Sequence, residues 1–284
     1  MSTTTTTGLP PLSVTIGAAQ KRVYALDESE GVTMRFALSW AAQNIADEND
    51  VEIAATPLGE MNALVKIDGL WSRLAQDKGW TEAMRLAETP NQFIKLINPY
   101  GDAMMKEMRD AFTTLGTIGK RKKKHPTNFI CIADDVSTSI GWIVSEEIVR
   151  DALMMVYAKM IASIHNDLPL SRDEFNVAWC FHSDGDISSL YPAIRQTGFD
   201  AVHIASVPYA RMSTLVGKAG TADLLFFGGV MAETLEAGKL SGELTRQIAI
   251  LARRPNVIVC DDGGMTTLRQ LEHYIDACHQ IALC

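Results

Sequence analysis

The chain has 284 residues, a net charge of −8 and a pI near 5.3, which suits one large domain and argues against nucleic acid or an acidic membrane surface as its main partner. At 47% hydrophobic and 21% charged residues, the composition is globular and excludes disorder over most of the length. No apolar run approaches bilayer length, and Met1 to Gly8 lacks the basic-then-apolar order of a secretory signal, so a cytoplasmic protein without a membrane segment is expected.

Residues 1–12 are a Thr-rich tail expected to be mobile, and 13–284 read as a single domain. Ser13–Ile16 is a short strand candidate. Thr33–Ile45 reads as a helix with Met34, Ala37, Leu38, Ala41 and Ile45 on one side. Val51–Thr56 reads as a strand stopped by Pro57 and Gly59, with Glu60 on the loop that follows. A mainly helical region is predicted over 62–118, where Phe93, Ile94, Ile97, Tyr100, Met104, Met105 and Met108 form a stripe suited to core packing. The basic run Lys120–His125 reads as a solvated loop.

From residue 129 the pattern becomes regular. Phe129–Ala133, Val177–Phe181, Ala201–Ile204, Leu224–Phe227 and Val257–Cys260 are apolar on both faces, and each precedes a helical segment. Such strands belong in a parallel sheet covered by helices. With Val51–Thr56 they predict a (β/α)8 TIM-type barrel shortened at its N-terminal side. No Gly-x-Gly-x-x-Gly turn follows any strand, so a dinucleotide-binding sheet has no support. Three of the five cysteines, Cys131, Cys180 and Cys260, fall in strands, which predicts reduced, buried thiols.

Polar residues gather where these strands end: Asp134 and Asp135, then His182 and Asp184, then Asp261 and Asp262. In a barrel all of them face one C-terminal mouth. A single acidic strand end is commonly a helix cap, whereas three around one mouth define a candidate site. His182 is the natural acid–base group or metal ligand, with Asp184 and Asp135 beside it; His182 and Asp184 either hold a metal through oxygen-rich ligation or bind none. Glu60, Asp134, Asp262 and Gly263 are candidate substrate contacts. Gly228 and Gly229, ahead of Glu233, are a candidate anion loop.

The order Asp134-Asp135, Phe181-His-Ser-Asp-Gly-Asp-Ile187, Thr197-Gly-Phe-Asp200, Gly228-Gly-Val-Met-Ala-Glu233 and Asp262-Gly-Gly264 resembles the uroporphyrinogen decarboxylase superfamily over residues 50–284. It looks closer to the branch that passes methyl groups to or from corrinoid proteins. The resemblance implies a barrel enzyme of one-carbon metabolism, with cobalamin or tetrahydrofolate as co-substrate, and a small-molecule methyl donor or acceptor or a corrinoid protein as partner. An oligomer is also expected. The Arg-Gln-Ala-Gly-Arg loop of the decarboxylase is absent. The family's zinc-binding thiolates are unmatched too, since Asp184 stands where the first Cys would be and Gly263 near the second. Two other readings compete: a decarboxylase of a small acid, and a non-catalytic barrel subunit of a complex.

Overall fold

The computed structural model describes residues 13–16, 19–24, 35–53, 62–121, 128–167, 177–205, 207, 209–218, 223–236, 238, 240–282 and 284. The proposed tail at 1–12, Glu60 and most of the basic run lie outside them. Seven parallel strands follow one another around a ring: β1 (Ala37–Leu38), β2 (Asn62–Asp68), β3 (Asn128–Ala133), β4 (Val177–Asp184), β5 (Ala201–Ala205), β6 (Leu225–Val230) and β7 (Val257–Asp261). Each pairs with the next in chain order. A parallel bridge between Phe36 and Val259 closes the ring, with the Val259 N–H donating to the Arg35 carbonyl at 2.8 Å. The fold is a TIM-type barrel with seven strands among the described residues.

The helices between the strands are α1 (Trp40–Glu48), α2 (Leu70–Lys78), α3 (Trp80–Leu86), α4 (Pro90–Arg121), α5 (Glu146–Ile148) and α6 (Met154–Asp167). They continue with α7 (Tyr191–Thr197), α8 (Tyr209–Gly217), α9 (Ala232–Glu236), α10 (Gly242–Ala252) and α11 (Leu268–Ala282). A π-helical turn, Val149–Leu153, joins α5 to α6. No described helix is long and apolar enough to cross a membrane. In α4, Phe93, Ile97, Met104 and Met108 of the predicted stripe are fully buried in the core, while Ile94, Tyr100 and Met105 pack against it partly buried. The hydroxyl of Tyr274, on α11, sits over the closing seam and donates to the carbonyls of Ala37 (2.6 Å) and Val259 (3.3 Å).

Three expectations for the N-terminal part are corrected. The strand near Val51–Thr56 is Glu52–Ile53, and it does not enter the barrel. It pairs in parallel with Ala19–Tyr24, which pairs antiparallel with Ser13–Ile16, forming a separate three-stranded sheet. The barrel position belongs to β2, in the segment that the sequence suggested was helical. Its apolar run is broken because Lys66 and Asp68, in the same alternation as the buried Leu64, emerge into the barrel mouth. The helix predicted over Thr33–Ile45 contains β1 instead. Ser39 then caps α1, its hydroxyl accepting from the Ala42 N–H.

Strand alternation sorts the core into two layers. On β4, Val177, Trp179 and Phe181 pack outward against helices, while Ala178 and Cys180 point into the barrel. The barrel interior is filled by Leu64, Phe129, Cys131, Ala201, Phe227, Ile258 and Cys260, with the Phe129 and Phe227 rings edge-to-face at 4.6 Å. Cys131, Cys180 and Cys260 are buried free thiols, as expected of cysteines in apolar strands, and Cys278 on α11 is buried as well.

Candidate active site

The same alternation decides what each strand-end carboxylate does. Asp134 shares the outward side of β3 with Ile130 and Ile132, while Asp135 continues the inward side of Phe129 and Cys131. Asp134 is fully buried; it accepts from the Ser72 N–H at 2.8 Å and from the Tyr157 hydroxyl, which itself accepts from the Leu70 N–H at 2.8 Å. It therefore ties down the start of α2 and does not line the mouth. Burial pushes its carboxyl up to about 6, against the pull of those hydrogen bonds. On β7, Asp261 is likewise fully buried, accepting from the N–H groups of Ser39 (3.0 Å) and Gly263 (3.1 Å) and from the Ser39 hydroxyl. Asp262 turns into the mouth.

His182 continues the inward side of β4 and pairs in register with His203 on β5. Their Nδ1 atoms lie 2.9 Å apart, and His203 Nε2 lies 2.8 Å from the carbonyl oxygen of Asp261. The other ring nitrogen of His182, Nε2, is 3.4 Å from Asp135 Oδ1. Trp40 stands edge-on to both imidazoles, at 5.0 Å from His182 and 5.4 Å from His203. Asp184 donates its N–H to Asp135 Oδ1 at 3.3 Å, which locks the ends of β3 and β4 together.

These groups open into a cavity of about 310 Å³ lined by Trp40, Lys66, Asp68, Trp80, Asp135, His182, Asp184, Asp262 and Gly263, among others. Burial disfavours charge on both His182 and Asp135, but their mutual hydrogen bond and charge outweigh it. The imidazole is held above its ordinary range and the carboxylate below. His203 is pushed down to about 3 by burial and by the neighbouring His182. Lys66 pairs with Asp68 at 3.0 Å and lies over the Trp40 ring at 5.6 Å.

Donor atoms of Asp135, His182 and Asp184 all lie within 4.8 Å of one another, the spacing of a mononuclear cation site. The structure thus brings together Asp135, His182, Asp184, Asp262 and Gly263. It leaves Asp134 behind the sheet, and Glu233 is exposed on α9 outside the cavity lining. Gly228 and Gly229 are not a loop: β6 runs through both, and a Cβ on Gly228 would lie 2.7 Å from the Ile204 carbonyl oxygen, so glycine there permits close strand approach. At Gly263, with φ +81, a Cβ would meet Trp40 at 2.6 Å. Sequence reasoning missed Lys66 and Asp68, hidden by the misassigned β2. It also missed Trp40 and Trp80, and His203, embedded in the apolar run Ala201-Val-His-Ile204.

Fold and site together define a closed parallel barrel with an acidic, imidazole-bearing mouth. Compared with protein families and with curated proteins, the sequence matches none. Among solved structures it is similar to a methyltransferase from Methanosarcina mazei at 14% identity and a TM-score of 0.49, over 77% of this chain and 58% of that one. It is also similar to the mannanase man26 of Bacillus subtilis (11% identity, TM-score 0.44, covering 87% and 85%) and to tryptophan synthase from M. tuberculosis (11%, 0.33, 88% and 92%). The chain spans a little over half, 58%, of the methyltransferase it is similar to. At these identities the likenesses concern the fold alone.

Proposed function

We propose that the protein is a methyltransferase of one-carbon metabolism, moving a methyl group between a small methylated compound, a corrinoid or a pterin, and an acceptor. The observation that carries the reading is the convergence of His182 Nε2, Asp135 and Asp184 within 4.8 Å at the wall of one cavity. Methyl transfer leaves the bonding electron pair on the donor's oxygen, nitrogen or sulfur, and that atom needs a proton or a cation as the bond breaks. When His182 is protonated, the Asp135 carboxylate 3.4 Å away holds the added proton at Nε2 on the cavity side, within reach of such a leaving group. Trp40 and Trp80 supply apolar walls, and Lys66 offers positive charge to an anionic edge of the substrate.

One nitrogen and two carboxylates suit a divalent cation of borderline or hard character better than a thiolate-selected one. When bound, the cation would supply Lewis-acid polarisation in place of the proton. The test is methyl transfer from methylcobalamin or methyltetrahydrofolate, with metal content measured on the purified protein. His182→Ala is expected to lower turnover by about 10²–10⁴-fold. Unchanged turnover would remove His182 from the chemistry. A second reading, decarboxylation of a small acid, draws on Lys66 in the cavity; carbon dioxide release without any methyl acceptor would favour it.

A further inference from the structure

We propose that His203 is a positioning residue that fixes His182 as its Nδ1–H tautomer, leaving Nε2 as the one ring atom through which the mouth exchanges a proton or binds a cation. The argument follows hydrogen-bond direction along a buried line of three groups. The Asp261 carbonyl oxygen can only accept, so His203 Nε2, 2.8 Å away, carries a hydrogen. The partners of the His203 ring are a backbone carbonyl and another imidazole, neither of which brings negative charge, and the residue is fully buried. In the neutral ring the hydrogen on Nε2 leaves Nδ1 as a lone pair. The 2.9 Å contact then requires His182 Nδ1 to be the donor.

This arrangement is backbone-anchored. The Asp261 carbonyl belongs to β7, while Trp40 braces both rings from the side. If the His182 tautomer were reversed, Nε2–H would gain only the long 3.4 Å approach to Asp135, while two lone pairs would face each other across 2.9 Å, or His203 would turn a lone pair on the Asp261 oxygen. Either leaves a buried hydrogen bond unmade, which biases the tautomer ratio by about fivefold or more. An orienting partner on the distal nitrogen is a general device for presenting an imidazole, and losing it typically weakens metal affinity by about 10–100-fold. The role assigned to Nε2 rests on the site reading above; the tautomer itself does not.

The experiment is long-range ¹H–¹⁵N correlation on uniformly ¹⁵N-labelled protein at about pH 9, where imidazoles are neutral, with His182 assigned by the His182→Asn spectrum. The expected pattern is a pyrrole-type Nδ1 and a pyridine-type Nε2 for His182, shifting toward the Nε2–H form in His203→Leu. His203→Gln, whose side-chain carbonyl can accept from Nδ1–H, is expected to restore the wild-type pattern. A wild-type His182 protonated on Nε2 and not on Nδ1 would overturn the proposal without any variant having to fold. So would a His203→Leu protein with wild-type circular dichroism and an unaltered His182 pattern. Zinc titration of the same proteins separates the two readings. The expected tautomer in a protein that binds no zinc keeps the role of His203 and removes the cation, whereas zinc binding with the reversed tautomer removes the role of His203.

Discussion

Replacing Asp261 by alanine tests the claim that the outward carboxylates hold the barrel together. The side chain accepts from two backbone N–H groups, of Ser39 at 3.0 Å and Gly263 at 3.1 Å, all within a fully buried site. Stranding two buried donors costs about 2–6 kcal/mol. Against this, burial raises the Asp261 carboxyl from 3.8 to about 6, so its ionised form at neutral pH already carries a penalty. Removing a penalty of some two pKa units returns up to about 3 kcal/mol at pH 7, which leaves a net loss of roughly 1 kcal/mol from the middle of that range. The sign with pH follows directly. A folded-state value above the unfolded one means the native protein binds more protons between pH 4 and 6. Wild-type stability from this group is therefore greatest at low pH and declines as pH rises through that window. The deficit of Asp261→Ala should accordingly be larger near pH 4.5 than at pH 7.5. Urea titrations at both values should show the midpoint lowered by roughly 0.3–0.5 M at pH 7.5, and by more at pH 4.5. A midpoint within about 0.2 M of wild type at both pH values, or a shift that does not change between them, would refute the reasoning.

Other expectations follow from the mouth. Asp184→Asn should weaken zinc or manganese binding by about tenfold or more, measured calorimetrically, with urea stability changed by less than about 1 kcal/mol; equal affinity would take Asp184 out of the ligand set. Gly263→Ala should cost about 1–3 kcal/mol, because its φ of +81 and the 2.6 Å approach to Trp40 leave no strain-free side chain, and tryptophan fluorescence should change as Trp40 moves. Lys66→Met should raise KM for an anionic substrate severalfold and leave kcat nearly unaltered, since Lys66 lines the cavity wall paired with Asp68 and offers charge to bind the substrate. A fall in kcat alone would place Lys66 in the chemistry.

The strands from β3 to β7 were legible because each is a continuous apolar run, the mark of a sheet buried on both faces. β2 was not, since Lys66 and Asp68 interrupt it on the side where the barrel opens, and β1 has only two residues. In the site, Asp135, His182, Asp184 and Asp262 were readable from their place after strands. What failed was the treatment of neighbouring aspartates as equivalent. Counting alternate residues along Phe129-Ile-Cys-Ile-Ala133 already separates Asp134 from Asp135, and counting along Val257-Ile-Val-Cys260 separates Asp261 from Asp262. His203 could not be found this way: a histidine between Val202 and Ile204 looks like packing until its register against His182 is known.

The seam that Tyr274 stitches has a consequence for how the molecule is made. The hydroxyl and the Ala37 carbonyl it reaches are 237 residues apart in sequence, so joining them costs on the order of 5 kcal/mol in chain entropy. A ribosome delivers Tyr274 only after all seven strands have emerged. Until then the nascent sheet has two bare margins, and its safe passage depends on how quickly the final turns of chain arrive to fasten them.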